Sequence, residues 1–215
     1  MKIEIWSDIM CPFCYIGKRH LEEALKKFAD AGAVEIEWHS YQLDPSMPKE
    51  VNTKTVYEYL AERKGITLEQ SKAMHQNVIE MAKEAGLYYN FDSAKVANSF
   101  EAHRLIQLAK TQNLGDVAEE RFFKAYFIDG KNLCDTLTLI ELGKEIGLNE
   151  NRVKEVLKGT EFTNEVNQDI SIANQIGVQG VPFFVFNRKY AVSGAQPVET
   201  FLNVLQKSFK EWKSN

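Results

Sequence analysis

The sequence is short of most features that would decide a function outright. Its 215 residues include only three cysteines and four histidines, and His20, His39, His75 and His103 stand singly. A closed zinc site needs four ligands, and the familiar patterns supply a second Cys or His pair at short spacing. No such pair exists, which argues against structural zinc. Basic residues are not in excess: 26 Lys and Arg against 30 Asp and Glu give a formal net charge of −4. Charge therefore provides no reason to expect nucleic acid or an anionic membrane as partner. No apolar run approaches a membrane span, and no fixed-period repeat or low-complexity tract is visible. Nor does a positive n-region, apolar h-region or small-residue cleavage site precede the first apolar segment, so the expected location is the cytoplasm. With 44% hydrophobic and 26% charged residues, the chain can bury a sizeable core as one domain or as one domain with an insertion.

What is present is Cys11-Pro12-Phe13-Cys14. Ile3 and Ile5 alternate with Lys2 and Glu4 and run into Trp6, as in a short strand; Ser7 to Met10 read equally as strand end or loop. Beyond the motif, Gly17, Leu21, Leu25 and Phe28 form the stripe of an amphipathic helix. With Cys11 as N-cap, Pro12 falls at N1, where its missing N–H costs nothing, and Cys14 sits one turn above Cys11. The unpaired N–H groups and positive dipole end at a helix start favour an anion, and thiols in such motifs have pKa values lowered to roughly 3.5–7.5. Cys11, at the exposed first position, is the expected nucleophile and Cys14 the resolving thiol. A reducing cytosol makes such a pair catalytic or transient rather than a permanent staple. The competing readings are half of a zinc site and two inert buried thiols.

Val34, Ile36 and Trp38 alternate with Glu35, Glu37 and His39, completing a parallel, right-handed strand–helix–strand unit over residues 2–41. His39 falls on the alternate face, at surface or interface. After the loop at Asp44-Pro45-Ser46-Met47-Pro48, almost everything from Thr53 to Gln175 reads as helix. The apolar stripes there are Ser71, Met74, His75, Val78, Met81, Ala82 and Ala85; Asn98, Ala102, Leu105, Ile106 and Ala109; Ala118, Phe122, Ala125 and Tyr126; and Phe162, Val166, Ile170 and Ala173. Gly86, Gly147, Gly159 and Gly177 mark helix ends. Strand character returns at Val181 to Phe186 and Tyr190 to Ser193, with a tight turn at Asn187, and a final helix carries Val198, Phe201, Leu202, Leu205 and Phe209. The order is βαβ, helical block, ββα. The expected boundaries are 1–43 with 176–215 for one domain and 44–175 for the helical insertion.

That layout resembles the thioredoxin superfamily, and in particular its DsbA branch. Ser7 to Gly17 around Cys11 and Cys14, Tyr41-Gln42-Leu43-Asp44-Pro45, Asn98-Ser99-Phe100-Glu101-Ala102-His103-Arg104-Leu105 and Gly177-Val178-Gln179-Gly180-Val181-Pro182 resemble the FrnE-like DsbA-family oxidoreductases. The resemblance spans nearly the whole chain. It implies an α/β thioredoxin-like fold with a large all-helical insertion, and a thiol–disulfide oxidoreductase or disulfide isomerase working through Cys11 and Cys14. Pro12, Phe13, Val181, Asn98 and His103 would support the site or bind substrate, and Pro182 would be cis and pack against the cysteines. No metal or cofactor is implied, with glutathione available as a redox partner. Substrates would be proteins or small molecules carrying disulfides or thiols, with no nucleic acid or membrane.

Other candidates carry two readings each. Asp8 could tune the thiol or cap local backbone, and capping is favoured. Asn98 and His103, expected on the helix over the active site, could equally be a polar pair satisfied locally. Cys134, before a helix start at Asp135-Thr136, reads as a packed thiol. The rival functions are a glutathione-dependent isomerase or transferase similar to the 2-hydroxychromene-2-carboxylate isomerases and kappa-class glutathione transferases, in which serine usually replaces the nucleophile, and a redox-inactive binding or chaperone module.

Overall fold

The computed structural model describes residues 1–49 and 53–214. Residues 50–52 of the expected helical insertion lie outside that range. The described chain divides into two compact units, Met1–Leu43 with Val166–Asn215, and Asp44–Glu165. None of its described helices is long and apolar enough to cross a membrane.

The first unit is built on four strands, β1 (Lys2–Ser7), β2 (Glu35–Ser40), β3 (Phe183–Phe186) and β4 (Tyr190–Ser193), in the order β2-β1-β3-β4. β1 runs parallel to β2 and antiparallel to β3, and β3 pairs antiparallel with β4. The parallel pair is joined through helix α1 (Pro12–Lys26), as a parallel connection requires. Asn187 and Arg188 both adopt left-handed φ, 49° and 54°, which makes the β3–β4 connection a primed turn matched to strand twist.

Alternation along β1 assigns its residues to two layers. Ile3 and Ile5 point into a core with Leu21, Phe184, Phe186, Phe201, Leu205 and Phe209, covered by α1 and the last helix α9 (Val198–Lys213). Glu4 and Trp6 point to the opposite face, where Trp6 packs with Ala173 and Val178. Phe28 is buried in the first core although α1 ends before it.

Asp44–Glu165 holds α2 (Val56–Lys64), α3 (Leu68–Glu84), α4 (Phe100–Lys110), α5 (Gly115–Phe127), α6 (Thr136–Glu145) and α7 (Glu150–Lys158). Thr55 with Glu58, and Thr67 with Gln70, close reciprocal capping boxes at the starts of α2 and α3, satisfying backbone donors that the first turn leaves unpaired. The α5 stripe Ala118, Phe122, Ala125 and Tyr126 is buried throughout. The α3 stripe is buried only at Ser71, His75 and Ala82, while Met74 and Met81 are each 40% exposed. Gly86, Gly147 and Gly177 take left-handed φ after their helices; Gly159 caps α7 in an extended conformation instead.

The helix α8 (Thr163–Gln175) places the domain boundary ten residues earlier than the sequence suggests, with Val166–Gln175 in the sheet-containing unit. Polar ties add to the packing of Ala173 on Trp6. Trp6 donates its indole N–H to the Asp169 carbonyl at 3.0 Å, and the Asp169 carboxylate accepts the Ser40 N–H at 2.8 Å. These ties to β1 and β2 are invisible in a helical periodicity.

Candidate active site

β1 ends at Ser7, and Asp8 to Met10 form the loop that delivers the cysteines. Asp8 has a local job: its carboxylate accepts the N–H of Met10 at 3.2 Å and of Leu43 at 2.7 Å, while its carbonyl accepts the Cys11 N–H at 2.9 Å. Cys11 then takes the extended N-cap conformation, Pro12 opens the helix, and the thiol makes no cap hydrogen bond. That leaves the sulfur available for another partner. Cys11 Sγ–H donates to the Val181 carbonyl at 3.3 Å.

Val181 and Pro182 are joined by a cis peptide. Pro182 lies outside β3, and its carbonyl accepts the Gly194 N–H at 2.8 Å. The opening turns of α1 approach it through Gly17, where a Cβ would lie 3.1 Å from both Pro182 Cγ and Phe184 Cζ. A methyl there would need the neighbours to give by a few tenths of an ångström and a larger side chain by more, so the glycine eases the close approach. Nothing in the sequence periodicity distinguishes Gly17 from an ordinary stripe residue.

No S–S bond joins Cys11 and Cys14, and the two sulfurs are close enough to hydrogen-bond. The expectation of an exposed Cys11 is not met: Cys11 is 2% and Cys14 1% exposed. Phe13, between them, is 37% exposed and presents an aromatic surface beside the pair. Burial pushes the Cys14 thiol well above its ordinary pKa, and contact with Cys11 adds to the shift. The Asp8 backbone and the Ser7 hydroxyl act in the opposite direction, towards the thiolate, although Ser7 Oγ itself makes no hydrogen bond among the described residues. Cys14 is thus held as a thiol at neutral pH. Ser7 and the Asp8 backbone are contributors that the motif alone does not reveal.

Asn98, His103 and Cys134 belong to the helical unit. Asn98 precedes α4 rather than standing on it: its amide donates to the Met47 carbonyl at 2.6 Å and its carbonyl oxygen accepts the Phe100 N–H at 2.9 Å. His103, on α4, is completely buried. Cys134 accepts the Asn98 N–H at 3.2 Å, and burial raises its thiol pKa. Next to them the buried Arg104 donates to the carbonyls of Glu161 (2.8 Å), Gly159 (2.7 Å) and Val156, and to the Glu101 carboxylate. It ties α4 to the end of α7. The sequence marks Arg104 only as part of a shared block.

Residues 2–206 match the family model for the DSBA-like thioredoxin domain. The chain belongs to this family. Among solved structures, a probable DsbA oxidoreductase from Streptomyces coelicolor is 37% identical, with a TM-score of 0.93 over 98% of this chain and 91% of that one. At lower identity the DsbA-like fold recurs in the cytosolic disulfide reductase DsbM from Pseudomonas aeruginosa, solved with GSH (17% identity, TM-score 0.69, covering 98% and 100%). It recurs also in a 2-hydroxychromene-2-carboxylate isomerase (12% identity, TM-score 0.72, covering 100% and 98%). A fold common to reductases and an isomerase does not discriminate between them. That discrimination rests on the residues at the site.

Proposed function

We propose that this DsbA-family protein is a thiol–disulfide oxidoreductase of the FrnE-like type, acting in the cytoplasm through Cys11 and Cys14. The observation that carries the reading is the pair itself: two thiols in contact at a helix start, one bonded to the carbonyl before a cis proline. An isomerase with serine at the nucleophile position has no use for the second thiol.

In the reductive direction Cys11, as thiolate, attacks one sulfur of a substrate disulfide. The S–S bond breaks, the departing sulfur takes up a proton, and a mixed disulfide remains on Cys11. Cys14 then loses its proton and attacks the Cys11 sulfur. The Cys11–Cys14 bond forms, the second substrate thiol leaves, and two electrons have passed to the substrate. Run backwards, the same steps donate a disulfide. In the resting state Cys11 Sγ occupies the Val181 carbonyl, so substrate backbone pairing with Val181 and formation of the mixed disulfide would release that hydrogen bond. Phe13 supplies an exposed apolar contact for substrate, and Pro12 sets the helix start. Pro182 keeps a backbone N–H away from Cys11. Asn98 and His103 act as support residues of the helical unit. The reaction needs no cofactor, and glutathione is a fitting small-molecule partner, in line with the GSH bound to the neighbouring DsbM structure.

The test is trapping. Cys14→Ser should accumulate mixed disulfides through Cys11, and Cys11→Ser should abolish both trapping and reduction of insulin disulfides. Full reductase activity in Cys11→Ser would overturn the mechanism. Glutathione-dependent isomerase turnover that survives Cys14→Ser would instead establish the rival chemistry.

A further inference from the structure

The face of the sheet opposite the α1/α9 core carries a cluster that thiol chemistry does not use. Glu4 on β1 and Glu37 on β2 are register partners in the parallel ladder, so two carboxylates stand side by side, an unfavourable arrangement without a counter-charge. Glu4 is 5% exposed. His39 stands one alternation further along β2, its side chain 9% exposed and its ring stacked on Trp6 at 4.5 Å between centroids.

The imidazole is oriented from behind. His39 Nδ1 lies 2.7 Å from Asp169 Oδ1, and an ionised carboxylate only accepts, so Nδ1 donates to Asp169 and Nε2 is the ring atom left to face Glu4 and Glu37. Nε2 is buried without a hydrogen-bond partner. It points at Glu4 Oε1, 3.8 Å away, and Glu37 Oε1, 3.9 Å away. Those separations are too long for hydrogen bonds. They suit two ligand atoms on a shared ion, since ligands each about 2.1 Å from a metal lie roughly 3–4 Å apart. One ligand atom from each of Glu4, Glu37 and His39 can be chosen so that all lie within 4.8 Å of one another.

We propose that Glu4, Glu37 and His39 form a binding site for a divalent first-row transition ion, with Asp169 orienting the His39 ring as a carboxylate–histidine–metal relay. A mixed imidazole and carboxylate set suits Zn(II), Co(II) or Mn(II) rather than the all-oxygen ions Mg(II) and Ca(II). Three protein ligands leave positions for water. Solvent reaches the cluster through Glu37, whose side chain is 32% exposed, and on the other side Glu4 borders an open cavity of about 450 Å³ with Trp6, Ile172 and Arg188. Two cations sit at the site already: Arg188 bonds the Glu4 carboxylate with both contacts at 3.2 Å, and Lys2 bonds Glu37 Oε2 at 2.8 Å. Their side chains are 82% and 43% exposed, so both cations can turn out to solvent when a divalent ion takes over the neutralisation of Glu4 and Glu37. All of these residues belong to the sheet-containing unit, so the site is complete within it. The inference does not depend on the exchange reaction.

The Cys pair is itself a potential metal ligand, so the experiment uses the full chain with Cys11, Cys14 and Cys134 all replaced by serine. Zn(II) titration against a chromophoric chelator should show one bound equivalent. Co(II) should give visible ligand-field bands with no thiolate charge-transfer band. His39→Gln or Glu37→Gln in that background should abolish the bands, and Asp169→Asn should weaken affinity by roughly 10–100-fold, as for other groups that orient a metal-bound histidine. Glu37 is partly exposed, so Glu37→Gln keeps the test decisive if a buried replacement fails to fold. No Zn(II) uptake by the folded thiol-free protein at a large excess of metal would overturn the site and leave an ion-pair network around a protonated His39. Uptake unchanged by both His39→Gln and Glu37→Gln would overturn it equally.

Discussion

Raising the pH of the reduced protein should destabilise it through Cys14. Desolvation raises the folded-state pKa of this thiol, with help from Cys11, whereas in the unfolded chain it titrates near the ordinary value of about 8.5. Above that value the unfolded state releases a proton that the folded state keeps. Stability is therefore fully present below the unfolded pKa and is lost as pH rises toward the folded one. The slope approaches about 1.4 kcal/mol per pH unit, which accumulates to about 2 kcal/mol at pH 10 while the native thiol stays protonated. Tyr57, raised to about 12, and Cys134, also raised, contribute with the same sign, so the wild-type curve alone is not diagnostic. The informative quantity is the difference between reduced wild type and reduced Cys14→Ser in urea unfolding from pH 7.5 to 10. That difference should change by about 2 kcal/mol against the wild type. A parallel measurement follows thiolate absorbance in a Cys11→Ser/Cys134→Ser protein, where desolvation, the largest cause, is intact. A Cys14 titration at or below the ordinary thiol value, or a pH-independent difference in stability, would refute the argument. In catalysis the same protonation should make resolution of the mixed disulfide accelerate with pH.

Arg104→Met should cost on the order of 3 kcal/mol, because three carbonyl oxygens at the ends of α7 and its following turn lose their donor. Urea unfolding checks this, and a loss under about 1 kcal/mol would show that the network is dispensable. Gly17→Ala should be nearly neutral, since the helix-propensity gain of about 1 kcal/mol offsets a contact that a few tenths of an ångström would relieve. Gly17→Val, with more volume against Pro182 and Phe184, should destabilise by about 1–3 kcal/mol and slow insulin reduction; wild-type stability in the valine variant would mean that the close approach is not constrained.

The sequence alone determined the local elements and their order. The alternation of Ile3 and Ile5, the Cys-Pro-x-Cys helix start and the stripe of α9 follow from periods of two and 3.6 residues and from capping, which are properties of neighbours in the chain. For the same reason Asn187 announced its turn and Asp8 its capping role. What contacts distant in sequence decide was not legible. Cys11 looks exposed from its helix position, yet it is buried with its sulfur on the Val181 carbonyl, 170 residues away. The apolar stripe of α3 leaves Met74 and Met81 outside, because periodicity gives a helix its face but not the width of that face the neighbours cover. α8 joins the sheet-containing unit through Trp6 and Asp169, a polar tie across 163 residues. His39 is the clearest case. On the strand it is one alternate-face residue among several, and it becomes a candidate ligand only because the parallel register sets Glu4 beside Glu37 and α8 brings Asp169 behind the ring. Local chemistry fixed the thiols and the elements that carry them; strand register and helix docking, which depend on the whole chain, fixed what faces them.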